Sequence, residues 1–233
     1  MNSKYSNVLT ILLVIIIIAI LCIIGFLGYR YVKSINNKNQ SEDFVDAFLN
    51  DTNANQNTDN NTSTENNNTN NDNNNDDDYV VNVDEGTKPN GETSGTVQKY
   101  KGYTVAGSIE IPATNLKCPI LSREEYSTSA LATSVCEIYG PGLNKEGNTV
   151  ISGHNFRNGN FFSNNKKLNN GDKIYITDLT GKRLSYTIYN KYETEDNDSD
   201  YMVRDTQGAT EISLTTCTDD SQKRIIIWAK ADI

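Results

Sequence analysis

The tract from Val8 to Gly28, VLTILLVIIIIAILCIIGFLG, runs 21 residues without a charge. As a helix rising 1.5 Å per residue it spans about 31 Å, the thickness of a bilayer's hydrocarbon core. A cleaved signal peptide has a shorter apolar region, about 7–15 residues, and ends in a small-x-small site. Here the run is longer and no Ala-x-Ala comes after it. The sequence thus predicts an uncleaved signal anchor over 8–29, with residues 1–7 as a cytoplasmic tail. Lys4 precedes the helix, while Arg30, Lys33 and Lys38 lie beyond it. By flanking charge alone this pattern favours the orientation opposite to an exported domain, although long domains translocate despite such flanks.

Beyond the apolar tract the physics changes. Residues 34–100 carry a net charge of −10, against −2 for 101–233. In 51–78, 13 of 28 residues are Asn, and most others are Asp, Thr, Ser, Gln or Glu. Such a stretch cannot bury enough apolar surface to offset its ordering entropy. Residues 30–99 are therefore predicted as a disordered linker, with a short amphipathic helix over 42–49 as an incidental feature. With the acidity confined there and no basic face elsewhere, nucleic acid is excluded as a partner.

Residues 100–233 read as a globular, mainly all-β domain. β-like runs occur at Tyr103–Ile111, Cys118–Leu121, Val135–Tyr139, Thr149–Ser152, Lys173–Asp178, Arg183–Tyr192, Glu211–Cys217 and Arg224–Lys230. Turn signals such as Asn158-Gly159, Asn170-Gly171 and Thr180-Gly181 separate several of them. Helical stretches are expected at Glu124–Thr133 and Asn160–Leu168. Eight short strands in this length point to a closed or nearly closed β-barrel.

Chemistry-bearing residues are few. His154, the only histidine, comes after the strand Thr149–Ser152 and Gly153, so it sits at a sheet rim. Cys217 ends EISLTTC, with Ile212 and Leu214 on the core-facing parity and Ser213, Thr215 and Cys217 on the other. Arg224 opens RIIIWAK after the polar segment TDDSQK. If those two strands form a hairpin, Cys217 and Arg224 stand about 5 Å apart across it. Singly, each has a plainer reading: a loop histidine, an inert thiol, a solvated charge. Together they supply a nucleophile, a proton carrier and a fixed cation for a developing oxyanion. Cys22 reads as a small apolar residue of the anchor. Cys118 and Cys136 read as reduced core cysteines, with a disulfide as the alternative.

These strings resemble the sortases, the cysteine transpeptidases of Gram-positive surfaces. The resemblance lies in GSIEIP at 107–112, Pro119-Ile120, NTVISGHN at 148–155, GDKIYITD at 171–178, LTTC at 214–217 and RIIIWAK at 224–230. It implies a closed eight-stranded barrel and an extracellular catalytic domain over 100–233, held at the cell membrane by a single-pass anchor. Cys217 would attack a C-terminal sorting signal of Leu-Pro-x-Thr-Gly type, and His154 would protonate the leaving amine. Arg224 would hold the acyl oxygen or the signal's backbone, assisted by the backbone N–H after Cys217. Thr216, Leu214 and Asn155 would contact substrate, and a peptidoglycan-precursor amine would resolve the thioester. Membrane contact is expected through residues 8–29.

Pilin-polymerising members carry an Asp-Pro-aromatic lid and a C-terminal membrane segment. No Asp-Pro dipeptide occurs here and the chain stops after Asp232-Ile233, so an anchoring-type enzyme is expected. No cofactor is expected. Glu193, Glu195, Asp196, Asp198 and Asp200 make a calcium site conceivable, but Tyr201 replaces the glycine an EF-hand loop needs; a solvated acidic loop is the preferred reading. Zinc on Cys118, Cys136, Cys217 and His154 has poor ligand spacing. An extracellular cysteine peptidase hydrolysing peptides or peptidoglycan is the nearest rival, and a non-enzymatic surface binding module the other.

Overall fold

The computed structural model describes residues 3–57 and 97–233. Helix α1 covers Ser3–Asn57. Its portion up to Gln40 is a unit of its own, and from Ser41 the chain belongs to a second compact unit that runs to Ile233. The first unit contains one helix long and apolar enough to cross a membrane, with its apolar side chains exposed. The disorder expected over 30–99 therefore does not hold for 30–57, which is helical. No proline or glycine breaks the helix there, and its docked face at Phe44, Val45 and Phe48 offsets the low propensity of the many Asn and Asp residues. The Asn-rich remainder of the expected linker, 58–96, lies outside the described residues.

The second unit is built from strands β1 (Lys99–Tyr100), β2 (Tyr103–Ile111), β3 (Leu116–Leu121), β4 (Val135–Tyr139), β5 (Gly147–Ser152), β6 (Lys173–Asp178), β7 (Arg183–Glu195), β8 (Thr210–Cys217) and β9 (Lys223–Ala231). The sheet runs β1-β2-β3-β4-β5-β8-β9-β7-β6, and β6 returns to pair with β2. Strands β2 to β9 thus form the closed eight-stranded barrel that the sequence predicts, with β1 a two-residue flap on β2. Closure removes the open sheet edges that would otherwise recruit other chains.

Closure needs one glycine in particular. Gly107 pairs with Ile120 on one side and Asp178 on the other. A Cβ there would lie 2.3 Å from the Thr177 carbonyl oxygen. Only glycine lets the two backbones approach so closely.

Inside the barrel, Ile109, Ile120, Ile151, Ile176, Leu214 and Ile227 come from six different strands and are fully buried. Each such side chain contributes about 1.5–3 kcal/mol through burial. Alternation along the strands makes this face legible in the sequence. The opposite face of β8 is less so. Ser213 and Thr215 are buried as well, under the long connection from β7 to β8. Tyr201 of that connection packs with Val150 and Ile226, joined by Met202 and Trp228. Arg204 then clamps it down. Its guanidinium, mostly shielded from solvent, meets Glu211, donates to Tyr189 Oη (2.8 Å) and Asn148 Oδ1 (3.1 Å), and lies 4.6 Å over the Trp228 ring. Tyr201, which breaks the calcium-loop pattern, is therefore the connection's apolar anchor.

A third apolar cluster joins α1 to the barrel. Phe44, Val45 and Phe48, one face of the helix, pack against Tyr100, Val105, Leu121 and Ala130. Ser41 Oγ and Tyr100 Oη lie 3.0 Å apart, and Gln98 donates to Asp51 (2.8 Å). The amphipathic stretch expected at 42–49 is thus an integral part of this unit.

The two helices expected inside the domain are altered by local chemistry. Glu124–Thr133 divides into a 3₁₀ turn, Arg123–Glu125, and α2, Thr128–Thr133. Ser127 breaks it by turning extended and accepting the Ala130 N–H (3.2 Å) as an N-cap. The second is the 3₁₀ segment Phe162–Lys167, preceded by Phe161 at φ 48°.

Candidate active site

Strand β5 lies parallel to β8, with Ser152 opposite Thr215. Two residues beyond that pair stand His154 and Cys217, so both leave the barrel at the same end. The ladder continues past the strand, since Gly153 N–H donates to Thr215 O (3.1 Å). Gly153 is required by packing. A Cβ would fall 2.7 Å from Phe162 Cδ2 and 2.8 Å from Val135 Cγ1.

On the other side of β8, Cys217 pairs with Arg224 of antiparallel β9, as the hairpin argument predicts. The Arg224 guanidinium donates through Nη1 to Cys217 Sγ. Both residues are partly exposed, which suits a thiol that must meet substrate beside a permanent cation. The Thr218 N–H, expected to assist at the oxyanion, instead donates to Lys223 O (2.9 Å) and closes the hairpin turn. Turn geometry has claimed it.

Asn155, expected as a substrate contact, is tied into the protein. Its Nδ2 donates to Cys217 O (3.0 Å) and Asp219 Oδ1 (2.9 Å), and its Oδ1 accepts from Arg157 N–H (3.0 Å). Lys166 meets the other oxygen of Asp219, and Arg157 reaches Ser221 Oγ (2.8 Å). Hydrogen bonds from Lys166 and then Asn155 hold the Asp219 carboxyl below the usual range. The histidine loop and the cysteine turn are thereby bolted together. Leu214 is wholly buried in the barrel core, so the substrate contact expected of it gives way to packing. Thr216 shares the parity of Leu214; its buried Oγ1 has no hydrogen-bond partner among the described residues.

His154 itself is partly buried, and desolvation lowers its pKa from the ordinary 6.5. Its ring lies 4.8 Å from that of Phe156, tilted by 39°, and Phe156 in turn lies 5.8 Å from Phe161. Phe161 at φ 48° and Arg157 at φ 57° occupy backbone regions unusual for side chains of their size. Such conformations cost on the order of 1–3 kcal/mol each and persist where surroundings impose them. Here the constraints include the Phe162 N–H to His154 O bond (3.2 Å) and the Phe156 N–H to Ser163 Oγ bond (3.0 Å). Sequence reasoning does not single out Phe156, Asp219 or Lys166. An apolar residue alone in the polar string GHNFRNGN is the available signal for the first.

The remaining thiols are unsuited to catalysis. Cys118 and Cys136 are free and buried, and burial pushes both up to about 12. Among the described residues no three His, Cys, Asp or Glu side chains converge to hold a metal ion. Of the acidic group considered for calcium, Asp198 accepts from Thr194 Oγ1 and from Asp200 N–H (2.9 Å), and Glu195 pairs with Lys223 (3.2 Å).

Comparison with known proteins identifies the domain. The chain is similar to sortase A of Bacillus anthracis, at 32% identity over 127 residues, which is 53% of this chain. It spans 58% of that relative's length. Among solved structures it is similar to sortase A of Corynebacterium diphtheriae, with a TM-score of 0.51 and 27% identity, covering 56% of this chain and 62% of that one. A lid mutant of the same enzyme gives a TM-score of 0.50 at 27% identity, over 55% and 70% of the two chains. The sortase domain model matches residues 109–232, which include His154, Cys217 and Arg224, and the chain belongs to the sortase family.

Proposed function

We propose that this chain is a membrane-anchored cysteine transpeptidase working on the outer face of the cell membrane. The observation that carries the reading is the meeting of Cys217, Arg224 and the His154 loop at one barrel end, with Arg224 donating to the sulfur. The substrate is a C-terminal sorting signal of Leu-Pro-x-Thr-Gly type, and the acceptor is a peptidoglycan-precursor amine. The apolar helix over 8–29 holds the enzyme where both substrates meet it.

In the first half-reaction the Cys217 thiolate attacks the threonyl carbonyl carbon. Negative charge moves onto the carbonyl oxygen, where the Arg224 guanidinium faces it. One such donor is worth about 2.7–4 kcal/mol in the transition state. His154 as imidazolium gives its proton to the departing nitrogen, the C–N bond breaks, and a thioester remains on Cys217. In the second half, the acceptor amine attacks the thioester carbon and His154 takes up the released proton. The C–S bond breaks and returns the thiolate. Thr216, buried on the core-facing side of β8, helps to shape the pocket from beneath in this scheme. No step needs a metal, and the acidic group Glu193, Asp196, Asp198 and Asp200 acts as solvated surface.

The test uses the full chain in detergent with a library of candidate sorting peptides and an amine acceptor, read by mass spectrometry. Amine-dependent ligation and an acyl adduct on Cys217 are expected, and both are lost in Cys217→Ala. Full activity in Cys217→Ala, or no change in His154→Ala, would overturn the mechanism. Water-only products under saturating amine would favour a peptidase.

A further inference from the structure

We propose that Phe156 is a positioning residue for His154, holding one face of the imidazole at a fixed tilt and keeping water from it. The proposal rests on the transpeptidase mechanism for what His154 does, and on the geometry for how Phe156 acts. Two features of the loop argue that the ring is placed there by construction. First, 41% of Phe156 remains exposed although its ring contacts the histidine at 4.8 Å. A phenyl group on a polar loop gains little from such a half-burial unless the ring it meets matters. Second, the loop carrying it is cinched at both ends. Ser163 receives the Phe156 N–H, Phe162 donates to His154 O, and an isolated bridge joins Asn155 to Phe161. Phe161, in its unfavourable backbone conformation, stacks behind Phe156 at 5.8 Å and limits its retreat.

The chemical consequence concerns both orientation and charge. An imidazole that must give a proton to one nitrogen and take one from another needs a constant ring plane. A tilted aromatic neighbour supplies that without consuming either ring nitrogen in a hydrogen bond. It also removes water from one face, which disfavours the imidazolium, in line with the downward displacement of the His154 pKa by desolvation. The other charged and titratable groups at this barrel end come from every element that meets there. They are Arg157 on the loop, Lys166 on the 3₁₀ segment, Asp219 and Asp220 on the hairpin turn, and Cys217, Lys223 and Arg224 on the strand ends. Replacing Phe156 by an uncharged residue leaves all seven in place, so a change in the histidine reads the ring.

His154 is the only histidine of the sequence, so its titration can be followed as a single imidazole signal by NMR on the full chain in detergent micelles. Phe156→Ala is expected to raise the apparent pKa toward the ordinary value. Phe156→Leu should fall between parent and Ala, and Phe156→Tyr should match the parent. In parallel, the rate of Cys217 alkylation by iodoacetamide against pH should shift its histidine-dependent limb in the same direction. A Phe156→Ala titration indistinguishable from the parent, or one displaced downward, overturns the proposal. If the Ala variant does not fold, the Leu variant decides on the same criterion. Neither readout uses a sorting peptide, so the outcome stands apart from whether the chain proves to be a transpeptidase.

Discussion

Replacing Phe48 by alanine should loosen the barrel although the residue lies some 170 positions upstream of Cys217. Phe48 is 2% exposed, stacks 6.4 Å from Phe44, and belongs to the cluster containing Tyr100, Val105 and Leu121. A buried Phe→Ala change costs about 3–5 kcal/mol in a core that cannot collapse. Here the helix can lift away, which limits the loss to what its docking contributes. Phe44, Val45 and Phe48 bury side chains worth about 1.5–3 kcal/mol each before ordering entropy is subtracted. About 3 kcal/mol is thus the expected loss, and in a unit of this size each kcal/mol moves the melting point by roughly 2–4 °C. The assay is thermal melting of the full chain in detergent, followed by fluorescence of Trp228, the sole tryptophan, which sits on β9. A fall of about 6–12 °C is expected. Asp46→Ala is the control: Asp46 is 62% exposed in its ion pair with Lys117, so its loss should cost under about 1 kcal/mol. A Phe48→Ala melt within about 2 °C of the parent would refute the assignment of residues 41–52 to the folded unit.

Three further outcomes are expected. Arg224→Lys keeps the charge but loses the planar donor beside the sulfur, so peptide cleavage should fall by about 10²–10³ while melting stays near the parent; undiminished cleavage would remove Arg224 from the chemistry. Gly153→Ala should destabilise by about 1–3 kcal/mol, because its Cβ meets Phe162 and Val135 inside van der Waals distance, as thermal melting would report. Native alkylation at pH 8 should spare Cys118 and Cys136, whose thiols burial keeps protonated, and modify Cys217; peptide mapping that finds Cys118 labelled as fast as Cys217 would contradict the burial.

The parts of this molecule written in local pattern are readable in the sequence, and the parts made by distant contacts are not. Runs of β-branched, aromatic and apolar residues between turn signals place every barrel strand within three residues at each end. The Cys217–Arg224 pair comes from a short turn. By contrast, 63 residues separate His154 from Cys217, and only the parallel pairing of β5 with β8 makes them neighbours. That pairing leaves no local signature; the family resemblance implies that the two residues act together but names no strand pairing. The Asn155 clamp is hidden for a similar reason, since its partners lie 62 and 64 residues away. The helix over 42–49 is visible as a pattern, but its partner surface consists of positions that read as ordinary barrel residues. Thr218 shows the opposite limit: a residue role borrowed from resemblance yields to the hydrogen-bond requirement of this chain's own turn.

Parallel and antiparallel neighbours give Cys217 two different kinds of partner. Cys217 and Arg224 stand at the two ends of one hairpin, joined by five turn residues, Thr218 to Gln222. His154 follows a separate strand that meets β8 through the parallel ladder. The thiol's cation is therefore fixed by a local turn, whereas its spacing to the imidazole is set by the β5–β8 register and by the Asn155 bonds that span it. A change in that register would alter the His154–Cys217 spacing while leaving the Cys217–Arg224 pair in place.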